Sequence, residues 1–223
     1  MGEHVRYNDK GVQLRWEGKE PAITANCVCE NCNGRWMNEV EDGVKPILSA
    51  MIRDEQITLD LQAQSALASW LALKAIVERQ SQSPIRPVQP EWIAYYREHQ
   101  QPPDTWCIRI GRYVGNHCAR LASGPVSILG RHSLVPFVIK RPGLLFSIAI
   151  GYFFGQVIGA GYRMPLPEMR ELFSQIWPHP LLRLGQLQGA YNDLVTWPPK
   201  NWLTDADFVR YTYNLTGEPP PSL

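Results

Sequence analysis

Residues 142–162 carry no charged side chain and are strongly apolar, so this stretch has to be buried, either in a bilayer or in a protein core. Gly151, Gly155 and Gly159 recur at every fourth position, a spacing that pairs of membrane helices use for close approach. Three features favour a core instead. Pro142-Gly143 opens the stretch with a turn, Ser147 and Gln156 interrupt it, and its five glycines would make a poor isolated helix. A buried strand over 144–150 running into a core helix is therefore expected, with no membrane partner.

The rest of the chain reads as mixed α+β. Val12, Leu14 and Trp16 alternate with polar residues, and 23–28 is a second extended run, so the opening residues are expected as short strands. A helix begins near Asn33-Gly34, with Trp36, Met37, Val40 and Val44 at helical spacing, and Pro46 either kinks it or restarts it over 47–52. A long helix spans 59–80, where Leu67, Trp70, Leu71, Leu73, Ile76 and Val77 make a broad apolar face. Residues 81–90, with Pro84, Pro87 and Pro90, form a stiff connector and the expected boundary. Beyond it come a short helix over 92–98, strands around Trp106, Ile108 and Ile110 and over 135–139, a helix over 168–177 and a last helix over 205–213. The expected organisation is an N-terminal unit over 1–53, a helix and connector over 54–90, and a larger α+β unit over 91–223.

At 223 residues with 44% hydrophobic and 19% charged side chains, the composition is that of a globular protein with a sizeable core. The net charge of +1 selects no class of partner, but its distribution is uneven. The first sixty residues hold seven Lys and Arg against eleven Asp and Glu. Residues 105–167 hold no acid at all, yet carry Arg109, Arg112, Arg120, Arg131, Lys140, Arg141 and Arg163. Gathered on one face, these would attract a polyanion such as DNA; scattered, they are solvated heads on buried stems. Sequence spacing leaves both arrangements open.

Five cysteines form an odd set, with Cys27, Cys29 and Cys32 crowded together and Cys107 and Cys118 far downstream. No secretory leader is read ahead of them, so a reducing compartment, the cytoplasm, is expected, with a metal-type cluster in place of a disulfide framework. Cys29-x-x-Cys32 at a strand-to-helix turn points two thiolates at one spot, and the helix start adds Asn33. Trp36, Met37 and Trp70 lie on helical stripes and are read as core; His117 beside Cys118 lacks the spacing of a metal knuckle.

The run VCENCNGRWMNEVEDGVKPIL, the helix LALKAIVE and the later TWPPKNWL resemble a group of bacterial and phage proteins with an HNH-type N-terminus, most clearly from Cys29 to Glu78. The resemblance implies a small ββα-metal module joined to a larger mixed α/β domain. It implies that Glu3 and Asn33 hold Mg²⁺ or Mn²⁺, that His4 is the general base and that Asn26 orients it. The activity implied is metal-assisted hydrolysis of DNA phosphodiester bonds. Arg35 and the basic residues Arg109, Arg112, Arg120, Arg131, Lys140 and Arg141 would then face nucleic acid. Zn²⁺ is the structural ion implied for Cys27, Cys29 and Cys32; a fourth ligand from His4 would consume the base. The other reading is a non-catalytic protein that binds nucleic acid or a protein partner and keeps an HNH-like fold.

Overall fold

The computed structural model describes residues 2–7, 13–18, 28–82, 88–116, 119–132, 135–161, 172–178 and 194–213; β1, β2 and the distal parts of β5 and β6 are described by their backbone pairing. The chain is mixed α+β, as expected. Its strands are β1 (Gly2–Tyr7), β2 (Gln13–Gly18), β3 (Ile57–Leu59), β4 (Cys107–Tyr113), β5 (Ala119–His132), β6 (Val135–Ile150), β7 (Phe153–Gly159), β8 (Ser174–Trp177), β9 (Val195–Trp197) and β10 (Trp202–Leu203). The helices are α1 (Glu30–Cys32), α2 (Asn38–Ile52), α3 (Leu61–Gln82), α4 (Pro90–His99) and α5 (Asp205–Tyr213), with a π-type segment, Asn33–Met37, joining α1 to α2.

An eight-stranded sheet runs β10-β4-β7-β6-β5-β1-β2, with β8 also paired to β4, and β3 and β9 form a separate ribbon. Consecutive strands β5, β6 and β7 pair antiparallel, as short connections allow. β1 pairs antiparallel with β2 and parallel with β5, so the opening hairpin extends the sheet built by the later chain.

Side chains alternate between the two faces of the sheet. On one face Ile108, Ile110, Phe146, Ile148, Phe153 and Val157 pack with Leu67, Leu71 and Ile76 of α3 in the larger core. On the other, Tyr113, Ala149, Phe154 and Phe173 pack with Phe208 and Val209 of α5. The long helix α3 is buried beyond the expected apolar face, with every residue from Leu67 to Leu73 enclosed, and its N-terminus is capped by Asp60, whose Oδ1 accepts the Ala63 N–H at 2.8 Å. α4 starts on Pro90, as proline favours, and is tied to α3 through Tyr96, whose hydroxyl donates to the Ser69 carbonyl at 2.9 Å. Burial pushes the Tyr96 phenol well above its usual range.

Three expectations are corrected. Pro142-Gly143, expected as a turn, lies inside β6, paired with Ser127 and Val126. The helix expected after residue 150 is strand β7, reached through a tight turn at Gly151 with φ of 52°. Every residue of β7 is buried, and a strand covered on both faces shows no alternation of apolar and polar residues. Two of the glycines noted for their fourfold spacing let other groups pack close on the sheet: a Cβ on Gly155 would stand 2.6 Å from Cδ2 of Leu71 in α3, and one on Gly159 2.9 Å from the Trp106 ring. Residues 174–177, expected as helix, form β8 against β4. α2 runs through Pro46 without a break in its assignment. The strand expected over 23–28 lies outside the described residues except for Val28. Among the described residues no helix is long and apolar enough to cross a membrane.

Candidate functional site

The local chemistry at the start of the helical run follows from Cys29. Its backbone is extended (φ −73°, ψ 153°), which makes it the cap of α1, and its sulfur accepts the Cys32 N–H at 3.3 Å. The Asn33 N–H donates to the Cys29 carbonyl at 3.0 Å. The two cysteines are therefore folded toward one another, Cys29 exposed and Cys32 half-buried against the larger core. Hydrogen bonding from the Cys32 thiol, and then from its backbone N–H, holds the Cys29 thiol below its ordinary value. Asn33 sits inside the helical run, one turn beyond Cys29, and is exposed, as is Arg35. Arg35 has a non-helical backbone (φ −120°, ψ −109°), so the run bends there before α2. Trp36 packs on Tyr96 of α4 with ring centroids 6.0 Å apart, and Met37 is buried.

Glu3 and His4 lie within β1 and not at its end. The register places His4 level with Ala119, Ile150 and Phe153 in turn. That rung adjoins the Gly151 turn, where the Tyr152 N–H donates to the carbonyl of Ile52 at the last turn of α2. Asn33 lies beyond the other end of α2, across the bend at Arg35, and α2 alone spans about 22 Å at 1.5 Å per residue. The pairing thus puts His4 two strands from the turn that meets the end of α2, and Asn33 lies beyond its start. Asn26 and Cys27 lie outside the described residues. Among the described residues no group of three or more His, Cys, Asp or Glu side chains converges as a metal site.

The acid-free stretch divides into two parts. In β4, Arg109 is only 5% exposed; its Nε donates to Oε1 of Gln156 at 2.7 Å and its guanidinium lies 4.1 Å from the Phe173 ring centre. Gln156 in turn donates to Ser147 Oγ at 2.9 Å and to the Tyr211 carbonyl at 3.1 Å. Burial pulls the guanidinium down to about 10, which still leaves it charged at neutral pH. Arg112 donates through Nε to Oδ1 of Asp54 at 2.9 Å and through Nη2 to Oδ2, and it lies near the rings of Tyr152 and Trp202. These two arginines are fixed by internal partners. Gln156 and Asp54 carried no signal in the sequence: Gln156 read as an interruption of an apolar run, and Asp54 lies 58 positions from Arg112.

Beyond β4 the geometry changes. β5 and β6 pair from Ala119↔Ile150 to His132↔Val135, while β1 pairs with β5 only over Ala119–Ala122 and β7 with β6 only over Leu144–Ile150. Among the described residues, no third strand pairs with 123–132 or 135–143. This part of the hairpin is a two-stranded ribbon reaching about 30 Å past the described strands beside it at 3.4 Å per residue. Arg131, Lys140 and Arg141 all lie on it, with no Asp or Glu, and Lys140 pairs opposite Leu129 and Arg141 opposite Ile128. Arg120 lies nearer the sheet, opposite Ala149.

No known protein family matches the chain, and no curated protein or solved structure matches it.

Proposed function

We propose that this chain is a duplex-DNA-binding protein of HNH-like ancestry that grips its ligand with the β5–β6 ribbon and does not cut it. The observation that carries this reading is the extension of an acid-free hairpin with Arg131, Lys140 and Arg141 beyond the edge of the sheet. A two-stranded ribbon has the width of the DNA major groove, and cations along it would displace condensed counterions from the phosphates. The placement of His4 on β1, toward the turn that meets the end of α2, and of Asn33 beyond the start of α2 supports binding without hydrolysis, because a general base and a metal ligand have to meet at one hydrated cation.

The test is fluorescence anisotropy on a labelled duplex across a salt series, comparing the wild-type chain with Arg131→Ala/Lys140→Ala/Arg141→Ala. Each phosphate contact contributes about 0.9 to the slope of log affinity against log salt, so the slope is expected to flatten by about 2 to 3 in the variant. An unchanged slope would remove the ribbon from the account.

A second reading, divalent-metal-dependent hydrolysis of DNA, is favoured by one observation: Cys29, Cys32 and Asn33 follow one another on the exposed first turn of the helical run, in the pattern that HNH-type proteins use to place a metal ligand. Plasmid nicking in Mg²⁺ or Mn²⁺ separates the two. No nicking supports the binding reading; nicking that disappears in His4→Ala supports the nuclease.

A further inference from the structure

We infer that Cys29 and Cys32 form a reversible redox pair, with Cys29 as the attacking thiol and Cys32 as the resolving one. The inference concerns the start of the helical run and is independent of how the ribbon is used. The cap geometry already turns the Cys29 sulfur toward Cys32, since it accepts the Cys32 backbone N–H at 3.3 Å. A disulfide needs its two Cβ atoms about 3.5 to 4.5 Å apart. As the extended cap of α1, Cys29 already lays its sulfur against the backbone of Cys32, so closure asks for a local adjustment of the first helical turn. Glu30 and Asn31, the two residues between the cysteines, are both exposed, so little packing opposes that movement.

The two thiols differ in access. Cys29 is exposed and can meet a reagent, whereas Cys32 is half-buried and packs against the core. That division suits an outer sulfur that reacts first and an inner one that resolves the product. Cys107, by contrast, is buried in β4 at 8% exposure and serves as an internal control.

The co-reactant is a low-molecular-weight disulfide such as oxidised glutathione. The Cys29 thiolate attacks one of its sulfurs, forming a mixed disulfide and releasing one glutathione thiolate, which takes up a proton. Cys32 then gives its proton to solvent and attacks the Cys29 sulfur, releasing the second glutathione. In sum, two protein thiols and one small disulfide become one protein disulfide and two small thiols, with two electrons passing from the protein to the glutathione pair.

The full chain, freed of adventitious metal with a chelator, is equilibrated in buffers of increasing oxidised-to-reduced glutathione ratio. It is then quenched with N-ethylmaleimide and read by intact mass and peptide mapping. The expected result is loss of two maleimide adducts together, with one midpoint, and a cross-link mapped between Cys29 and Cys32. Cys32→Ser should stop at a glutathione adduct on Cys29, and Cys27→Ser should leave the cross-link and its midpoint unchanged. Retention of both adducts at the most oxidising ratio would overturn the inference. So would a wild-type chain that stops at the mixed disulfide, or a cross-link that maps to Cys27.

Discussion

Arg109 and Arg112 on β4 and the cations of the β5–β6 ribbon come from the same acid-free stretch, yet they occupy opposite situations. Arg109 is enclosed by Gln156, Phe173 and the α5 face of the sheet, and Arg112 is clamped by Asp54. Arg131, Lys140 and Arg141 lie on a hairpin that has left its neighbouring strands behind. Absence of acidic residues in a sequence therefore marks two different things. In the packed part of the sheet it marks cations satisfied from elsewhere in the chain, by Gln156 and a ring face for Arg109 and by the distant Asp54 for Arg112; on the ribbon it marks the charge that the proposed DNA contact would use.

The sharpest way to break this contrast is to remove the enclosed cation. Arg109→Ala would strand the Gln156 carbonyl oxygen and leave a cavity beside Phe173, with an expected loss of about 3 kcal/mol in denaturant unfolding. DNA affinity of the folded fraction should be unchanged. A smaller loss, or weakened binding at full stability, would mean that Arg109 works outward. The ribbon triple variant is its converse: salt-dependent binding is lost while stability moves by less than about 0.5 kcal/mol.

Packing beneath the enclosed arginine can be probed through Gly155. A methyl there meets Leu71 at 2.6 Å, so Gly155→Ala should cost about 1 to 3 kcal/mol, and Leu71→Ala in the same chain should recover part of it. Additive losses in the double-mutant cycle would show that the two do not touch. The Asp54–Arg112 pair is partly exposed, its side chains 19% and 24% accessible, so solvent screening limits it. Asp54→Asn, which keeps a residue suited to the left-handed backbone at φ 63°, should cost about 1 kcal/mol by thermal unfolding. Asp60→Ala, which removes the cap of α3, should cost about 1 kcal/mol or slightly less and leave binding untouched.

Much of this architecture was legible in the sequence where a single periodicity applied. α3 was read from its apolar residues at helical spacing and α5 at its observed bounds, whereas α4 begins on Pro90, a residue read as the end of the connector. β7 was not legible, since a strand covered on both faces has no alternation to read. Residues 168–177 misled for another reason: Met169, Leu172, Phe173, Ile176 and Trp177 fall at helical spacing, but pairing with β4 decides the conformation of 174–177. The cysteine pair was visible because its two members are three residues apart. The fate of the arginines was not: the partner of Arg109 lies 47 positions away, and among the described residues the ribbon extends past β1 and β7 because these stop pairing at Ala122 and Leu144.

Hydrogen exchange of the wild-type chain with and without a saturating DNA duplex tests the division of the basic stretch most directly. Protection on binding is expected along 123–132 and 135–143, with the amides of β4 and of the helical run from Cys29 to Met37 exchanging as they do in the free chain. Protection confined to that helical run, with the ribbon unchanged, would contradict the account and return the helix start to the centre of function.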